Sequence, residues 1–201
     1  SGALEAAASP SFASDRASVV MLDAAAARRI DDYVERERRR QRIPGVALGL
    51  FSHGRPLYLK GYGLADVEWD APVQTDTVMQ TGSLAKQFVA TAILKLAEDG
   101  KLTLEDPVSL YFPEAPDAWA GITLEHLLSH TSGIGAYDGA GLTDPGGAFD
   151  YRRDFTEDAL AAAIAALPVE FKPGEDWRYN NANYVLLGIL IHRVTGRFYG
   201  D

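Results

Sequence analysis

Leu22, Ala26, Ile30 and Val34 recur at helical spacing in an otherwise polar stretch, and Asp23 stands where a helix cap would. This predicts a helix from Asp23 to Arg40, closed off before Pro44. The continuous apolar run "GVALGLF" suits a strand buried on both faces. "SHGRP" reads as a turn, and "LYLKGYGLAD" (Leu57 to Asp66) as the return strand of a hairpin. From Leu84 to Ala97 only Lys86 and Lys95 are charged, and apolar residues cover most of the helical circumference. That predicts a helix from Ser83 to Asp99, buried on most faces and stopped by Gly100. "LTLEDPVSLYFPE" reads as a loop with a short helical turn. Thr123 caps a helix running to His130, and the glycine-rich "TSGIGAYDGAGLTDPGGAFD" follows as a long surface loop. "TEDALAAAIAAL" is helical, "PVEFKPGEDWRYNNAN" a structured loop, and "YVLLGILIHRVTG" a last apolar helix. The elements make an α/β (α+β) chain: a helix and hairpin over 21–66, a helical region over 83–201, and a flexible small-residue tail over 1–20.

Composition narrows the chemistry. With 201 residues and 47% apolar content, the chain can bury a core. A formal charge of -9 argues against nucleic acid and against anionic membrane surfaces as partners. The one dense basic run, "ERERRR", interleaves acid with base at a helix end, where arginine suits the dipole. Cysteine is absent, which removes disulfides, thiol catalysis and cysteine-based zinc sites. No apolar run approaches the roughly 20 residues of a membrane-spanning helix. The leading "SGALEAAASPSFASDRAS" has the character of a tail left on a processed, exported protein, so a periplasmic or secreted location is expected.

The candidate chemistry starts at "TGSLAKQF". Ser83 and Lys86 are three residues apart at a helix start, so their side chains share a face. A lysine in the first turn of an apolar helix sits at the positive end of the dipole. Dipole and burial both favour a neutral amine that can accept a proton. The backbone N–H of a serine at a helix start is also free to hold a developing oxyanion. Alternatively, Ser83 caps the helix and Lys86 reaches out to water. A second stretch, "PGEDWRYNNANYVLLG", places Tyr179 and Asn181 in a loop that enters an apolar helix. A phenol beside a lysine can act as a base or shuttle, and a carboxamide can both donate to and accept from a substrate amide. The plainer reading is a core aromatic and an asparagine cap.

Taken together, these stretches resemble the serine β-lactamase and penicillin-binding protein family, in its class C-like branch with D,D-peptidases and family VIII esterases. "IPGVALGLFSHGRPLYLKGYGLAD" resembles the opening hairpin of that family, and "TGSLAKQFVATAILKLAEDGKLTLEDPV" the nucleophile helix. "ITLEHLLSHTSGI" resembles the block that follows, and "PGEDWRYNNANYVLLGILI" the tyrosine loop and its helix. The resemblance runs from Leu22 to the last residue. It implies a β-lactamase/D,D-peptidase-like fold, an antiparallel sheet flanked by helices plus a helical subdomain. It implies Ser83 as acyl-accepting nucleophile, with its backbone in the oxyanion hole, and Lys86 as proton acceptor. Tyr179 becomes the shuttle and deacylating base, and Asn181 the substrate positioner. The substrates implied are small esters, D-alanyl peptides or β-lactams, with no cofactor and no metal.

Two departures from the family pattern follow. The middle residue of the tyrosine motif is Asn180 where the branch has Ser or Ala, and its side chain is expected to matter less. The third motif, Lys-Thr-Gly or His-x-Gly on a late strand, has no match. "KPG" at Lys172 to Gly174 precedes Tyr179 and belongs to the tyrosine loop. The expectation is therefore an N-terminal portion whose C-terminal strands are missing, weakly active alone, with its own C-terminal segment as a second-chain partner.

Other readings carry less. His126 and His130 have the i, i+4 spacing of zinc ligands, but "HLLSH" lacks the accompanying glutamate. There is no G-x-S-x-G of an α/β-hydrolase. The rival from a different class is a non-catalytic binding or regulatory protein that kept the fold.

Overall fold

The computed structural model describes residues 22–138 and 141–200, so the expected flexible tail at 1–20 lies outside the described residues. The described residues form two compact units, divided between Gln80 and Thr81.

In the first unit, α1 (Ala24–Arg40) begins at Asp23, whose carboxylate accepts the Ala26 N–H at 2.6 Å. Three arginines fill its last turn. β1 (Gly45–Ser52) and β2 (Arg55–Asp66) pair antiparallel, and the short β3 (Ala71–Pro72) adds to the far edge of β2. The turn between β1 and β2 has His53 at φ 49° and Gly54 at φ 73°, the left-handed pair that a tight two-residue hairpin requires. β2 thus starts two residues before Leu57, with a bulge between Leu50 and Phe51.

β1 leaves one face exposed, as expected of "GVALGLF" where no further strands among the described residues cover it. Val46, Leu48 and Leu50 are half-buried while Ala47, Gly49 and Phe51 are exposed. The register sets Val46, Leu48 and Leu50 opposite Tyr62, Lys60 and Tyr58. On that shared face the Asp31 carboxylate of α1 accepts from Tyr58 OH at 2.5 Å, Lys60 Nζ at 2.6 Å and Tyr62 OH at 2.7 Å. One helix covers one face, so the apolar run reads as two-sided in sequence and is one-sided in the fold.

In the second unit a 3-10 turn, Gly82–Leu84, leads into α2 (Ala85–Glu98). Val89, Ile93 and Leu96 are buried, but Leu84, Phe88 and Leu94 are exposed. The prediction of burial on most faces is therefore corrected: a single stripe at i, i+4, i+7 packs on the core. Gly100, at φ 68°, ends the helix as predicted. α3 (Leu124–Leu128) is shorter than the predicted 123–130, because His130 takes the left-handed conformation at φ 60°. α4 (Glu157–Ala165) is capped by Thr156. α5 (Asn181–Thr195) starts three residues before Tyr184, is capped by Asn180, and carries Leu186, Leu187 and Leu190 into the core beside Ile93, Leu127 and Ile164. The glycine-rich 131–150 segment is not wholly a surface loop. Ser132 to Gly135 are buried, and Ile134 bridges Val169.

That buried stretch is tied to the tyrosine loop. Gly135 N–H donates to Pro168 O, Glu170 N–H to Gly133 O, Gly174 N–H to Thr131 O and Arg178 N–H to His130 O, all at 2.8–3.0 Å. The buried side chain of Asn180 completes the join. Its Nδ2 donates to Ile134 O at 2.5 Å and Gly135 O at 3.2 Å, and its Oδ1 accepts the Ala182 N–H at 2.8 Å.

Two predictions follow from these contacts. Asn180→Ala should cost about 2–4 kcal/mol, because it removes a cap and strands two buried carbonyls. Asn180→Ser, which can still cap, should cost less. Denaturant unfolding measures both, and a loss under about 0.5 kcal/mol for the alanine variant would refute the role. In the first unit, the hydrogen bond from Lys60, then those from Tyr58 and Tyr62, lower Asp31 from 3.8 to about 2. A folded-state value below the unfolded one stabilises the charged form. The contribution is therefore complete above about pH 4 and is lost as the pH falls toward 2. Hydrogen exchange over 55–66, corrected for intrinsic rate, should show wild-type protection dropping across that window. Asp31→Asn should be less protected at pH 7 and flat below pH 4.

Candidate active site

Ser83 sits in the 3-10 turn ahead of α2, one residue after Gly82, whose φ of 53° turns the chain into the helix. The Leu84 N–H donates back to Thr81 O at 3.1 Å, which leaves the Ser83 N–H at the leading edge of the turn. The Ser83 hydroxyl does not cap α2: the cap position is Leu84 and no side chain fills it. Instead Ser83 Oγ lies 2.5 Å from Tyr179 OH and accepts from Lys86 Nζ at 3.3 Å.

Lys86 does not reach out to water either. It is half-buried, and its Nζ also donates to Asn181 Oδ1 at 2.8 Å. The amine lies 4.9 Å from the ring centre of Tyr179 and 5.6 Å from that of Tyr184. The four residues singled out from the sequence thus converge, across about 95 residues of chain, on one connected set. Lys86 first, and the Ser83 hydroxyl second, hold the Tyr179 phenol below the ordinary tyrosine value, and partial burial opposes them. Such a group loses its proton more readily than a free phenol.

His130 positions the tyrosine. Its ring packs 4.8 Å from Tyr179 and 5.1 Å from Tyr184, and its Nδ1 accepts the Asn180 N–H at 3.2 Å. Burial, followed by Lys86, lowers the His130 pKa, which suits a neutral acceptor. His126 is engaged elsewhere: its Nδ1 accepts the Thr123 N–H at 3.1 Å in the capping box of α3. In both imidazoles Nδ1 accepts a backbone N–H. Among the described residues no group of three or more His, Cys, Asp or Glu is arranged to hold a metal ion.

Sequence reasoning undervalued one residue and missed another. Asn180, expected to matter little, is the helix cap that had been weighed for Asn181, and that leaves the Asn181 carboxamide to the site. Asp138 had no role assigned, yet its Oδ2 accepts from Asn181 Nδ2 at 3.1 Å. "GAYDG" offers only a turn signal, with nothing to mark its aspartate. Beside Lys86 and Asn181 opens a cavity of about 320 Å³, with Val89, Tyr137, Tyr184 and Val185 among its walls.

With this geometry in place, comparison with known proteins is informative. The family described as Beta-lactamase matches residues 27–201. Esterase EstB of Burkholderia gladioli is 36% identical over 191 residues, which cover 88% of this chain and 47% of the esterase. The octameric penicillin-binding protein homologue of Pyrococcus abyssi superposes with a TM-score of 0.72 at 31% identity, over 86% of this chain and 40% of that one. A class C β-lactamase solved with cefoxitin gives a TM-score of 0.70 at 26% identity, over 87% of this chain and 46% of the other. The chain spans under half the length of each of these relatives, and its helices and antiparallel sheet are a part of their shared fold. The match covers nearly the whole sequence, and the chain belongs to the Beta-lactamase family.

Proposed function

We propose that this chain carries the nucleophile of a serine hydrolase that forms an acyl-enzyme through Ser83. The observation that carries the reading is the placement of the Ser83 hydroxyl within hydrogen-bond reach of both the Tyr179 oxygen and the Lys86 amine. Ser83 Oγ attacks the substrate carbonyl carbon as its proton passes to the deprotonated Tyr179 oxygen, the nearer acceptor. Lys86 stabilises the phenolate and so lowers the cost of that transfer. The Ser83 N–H faces the oxyanion of the tetrahedral intermediate. Collapse breaks the bond to the leaving group, which takes the proton from Tyr179. Water then repeats the sequence on the acyl-serine, with Tyr179 as base. Asn181, anchored by Lys86, lies where it can hold a substrate amide or carbonyl.

Small esters are the first substrates to try, since the similar Burkholderia protein is named an esterase. D-alanyl peptides and β-lactams are the amide substrates of the same chemistry. No step requires a cofactor.

Intact mass after incubation with a nitrophenyl ester and, separately, penicillin G should show an acyl adduct on wild type. Ser83→Ala should lower acylation by roughly 10³-fold or more. A folded chain that takes no adduct from either reagent would point instead to a relative that binds without reacting.

Lys86 is the larger cause of the lowered Tyr179 value, so Lys86→Met should let the phenol rise toward its ordinary value. Acylation needs the deprotonated oxygen, so its rate climbs as the pH passes the Tyr179 value. The variant's rising limb should move to higher pH, in addition to a lower rate at neutrality. A pH–rate profile with an activated ester reads the shift. A limb that stays in place would remove Tyr179 from the role of base.

A further inference from the structure

Asp138 belongs to no motif read from the sequence, yet its carboxylate ends a series of contacts that begins at Ser83. Lys86 Nζ donates to Ser83 Oγ at 3.3 Å and to Asn181 Oδ1 at 2.8 Å, and Asn181 Nδ2 donates to Asp138 Oδ2 at 3.1 Å. The two ends of the Asn181 carboxamide therefore meet unlike partners. Turned over, the amide would set its NH₂ against the Lys86 amine and its oxygen against the Asp138 carboxylate, donor on donor and acceptor on acceptor. Asp138 thus fixes which end of Asn181 faces Lys86, and with it the placement of the amine that contacts Ser83.

The same carboxylate is exposed, and among the described residues it forms no ion pair. Its charge reaches the neighbouring phenols: it opposes ionisation of Tyr137, where burial is the larger cause, and of Tyr179, where Lys86 outweighs it. A substrate arm lying along Asn181, away from Lys86, would meet an unpaired negative charge. Among the described residues no donor reaches Oδ1 of Asp138, which can accept from a cation there.

We propose that Asp138 is a positioning residue for Asn181, and that its carboxylate makes the site prefer acyl groups bearing an ammonium over those bearing a carboxylate. The inference rests on the acyl-serine reading above. It narrows the substrate class to esters and amides of amino-substituted acids.

The test uses three nitrophenyl esters of equal acyl length, with a neutral, an ammonium or a carboxylate terminus. Acylation of Ser83 is followed by nitrophenol release and intact mass. Wild type should favour the ammonium ester over the carboxylate ester by about tenfold at low ionic strength, and the ratio should shrink as salt rises. Asp138→Asn removes the charge but keeps a carbonyl that can accept from Asn181, so it should bring the ratio close to one. Asp138→Ala removes both, so it should also lower the rate on the neutral ester further than Asp138→Asn does. A ratio unchanged in Asp138→Asn overturns the charge preference, and equal neutral-ester rates in the two variants overturn the positioning role. If no ester modifies Ser83 in the wild type, the acyl-serine reading itself fails and takes this inference with it.

Discussion

Asn180 stands between Tyr179 and Asn181, and its extended backbone, φ -148° and ψ 123°, turns its side chain away from theirs. Tyr179 and Asn181 reach the serine, whereas the Asn180 carboxamide goes into the core, where both of its ends are taken by backbone groups. A buried amide so satisfied has one favourable position, and any slip along the chain would strand polar atoms away from water. The distances at Ser83 depend on this constraint. It fixes where α5 begins, and so where Asn181 stands, and it pins the tyrosine loop to the segment that starts at His130.

The site combines a rigid support with an open face. The His130 ring packs against Tyr179 on one side and Tyr184 on the other, while Ser83 and Tyr179 themselves are exposed. The 3-10 turn at Gly82–Leu84 lifts the hydroxyl clear of α2, which leaves it to the phenol and the amine and not to helix capping. In a chain with a formal charge of -9, Lys86 is the cation at the serine and Asp138 the nearby anion, and they hold the same carboxamide from opposite ends. Preorganised dipoles of this sort can act on a developing charge without having to reorient.

Some of this was legible in the residues. Capping chemistry marked Asp23, Thr123 and Gly100, because a cap is a local event between neighbours in the chain. The hairpin was legible for the same reason, from the turn residues at His53 and Gly54. Burial was not. "GVALGLF" and the residues from Leu84 to Ala97 are apolar enough for full burial, yet each buries one side, because cover depends on what packs there and not on the strand or helix itself. His130 reads as a helix end from its apolar neighbours and as part of a turn, "SHTSG", from the family resemblance, and its left-handed backbone agrees with the turn.

Residue order alone carried the residue types of the site, the order of its motifs and the family to which they belong. Hydroxyl, amine, phenol and carboxamide stand at short local spacings, three residues in one pair and two in the other, that survive as text. Only the tertiary structure decided that the two motifs meet, since a contact across about 95 residues leaves no periodic trace. It alone assigned the cap to Asn180 and drew Asp138 to Asn181, because a hydrogen bond between distant side chains is a fact of folded position, and a turn aspartate looks the same in sequence whether or not it has a partner.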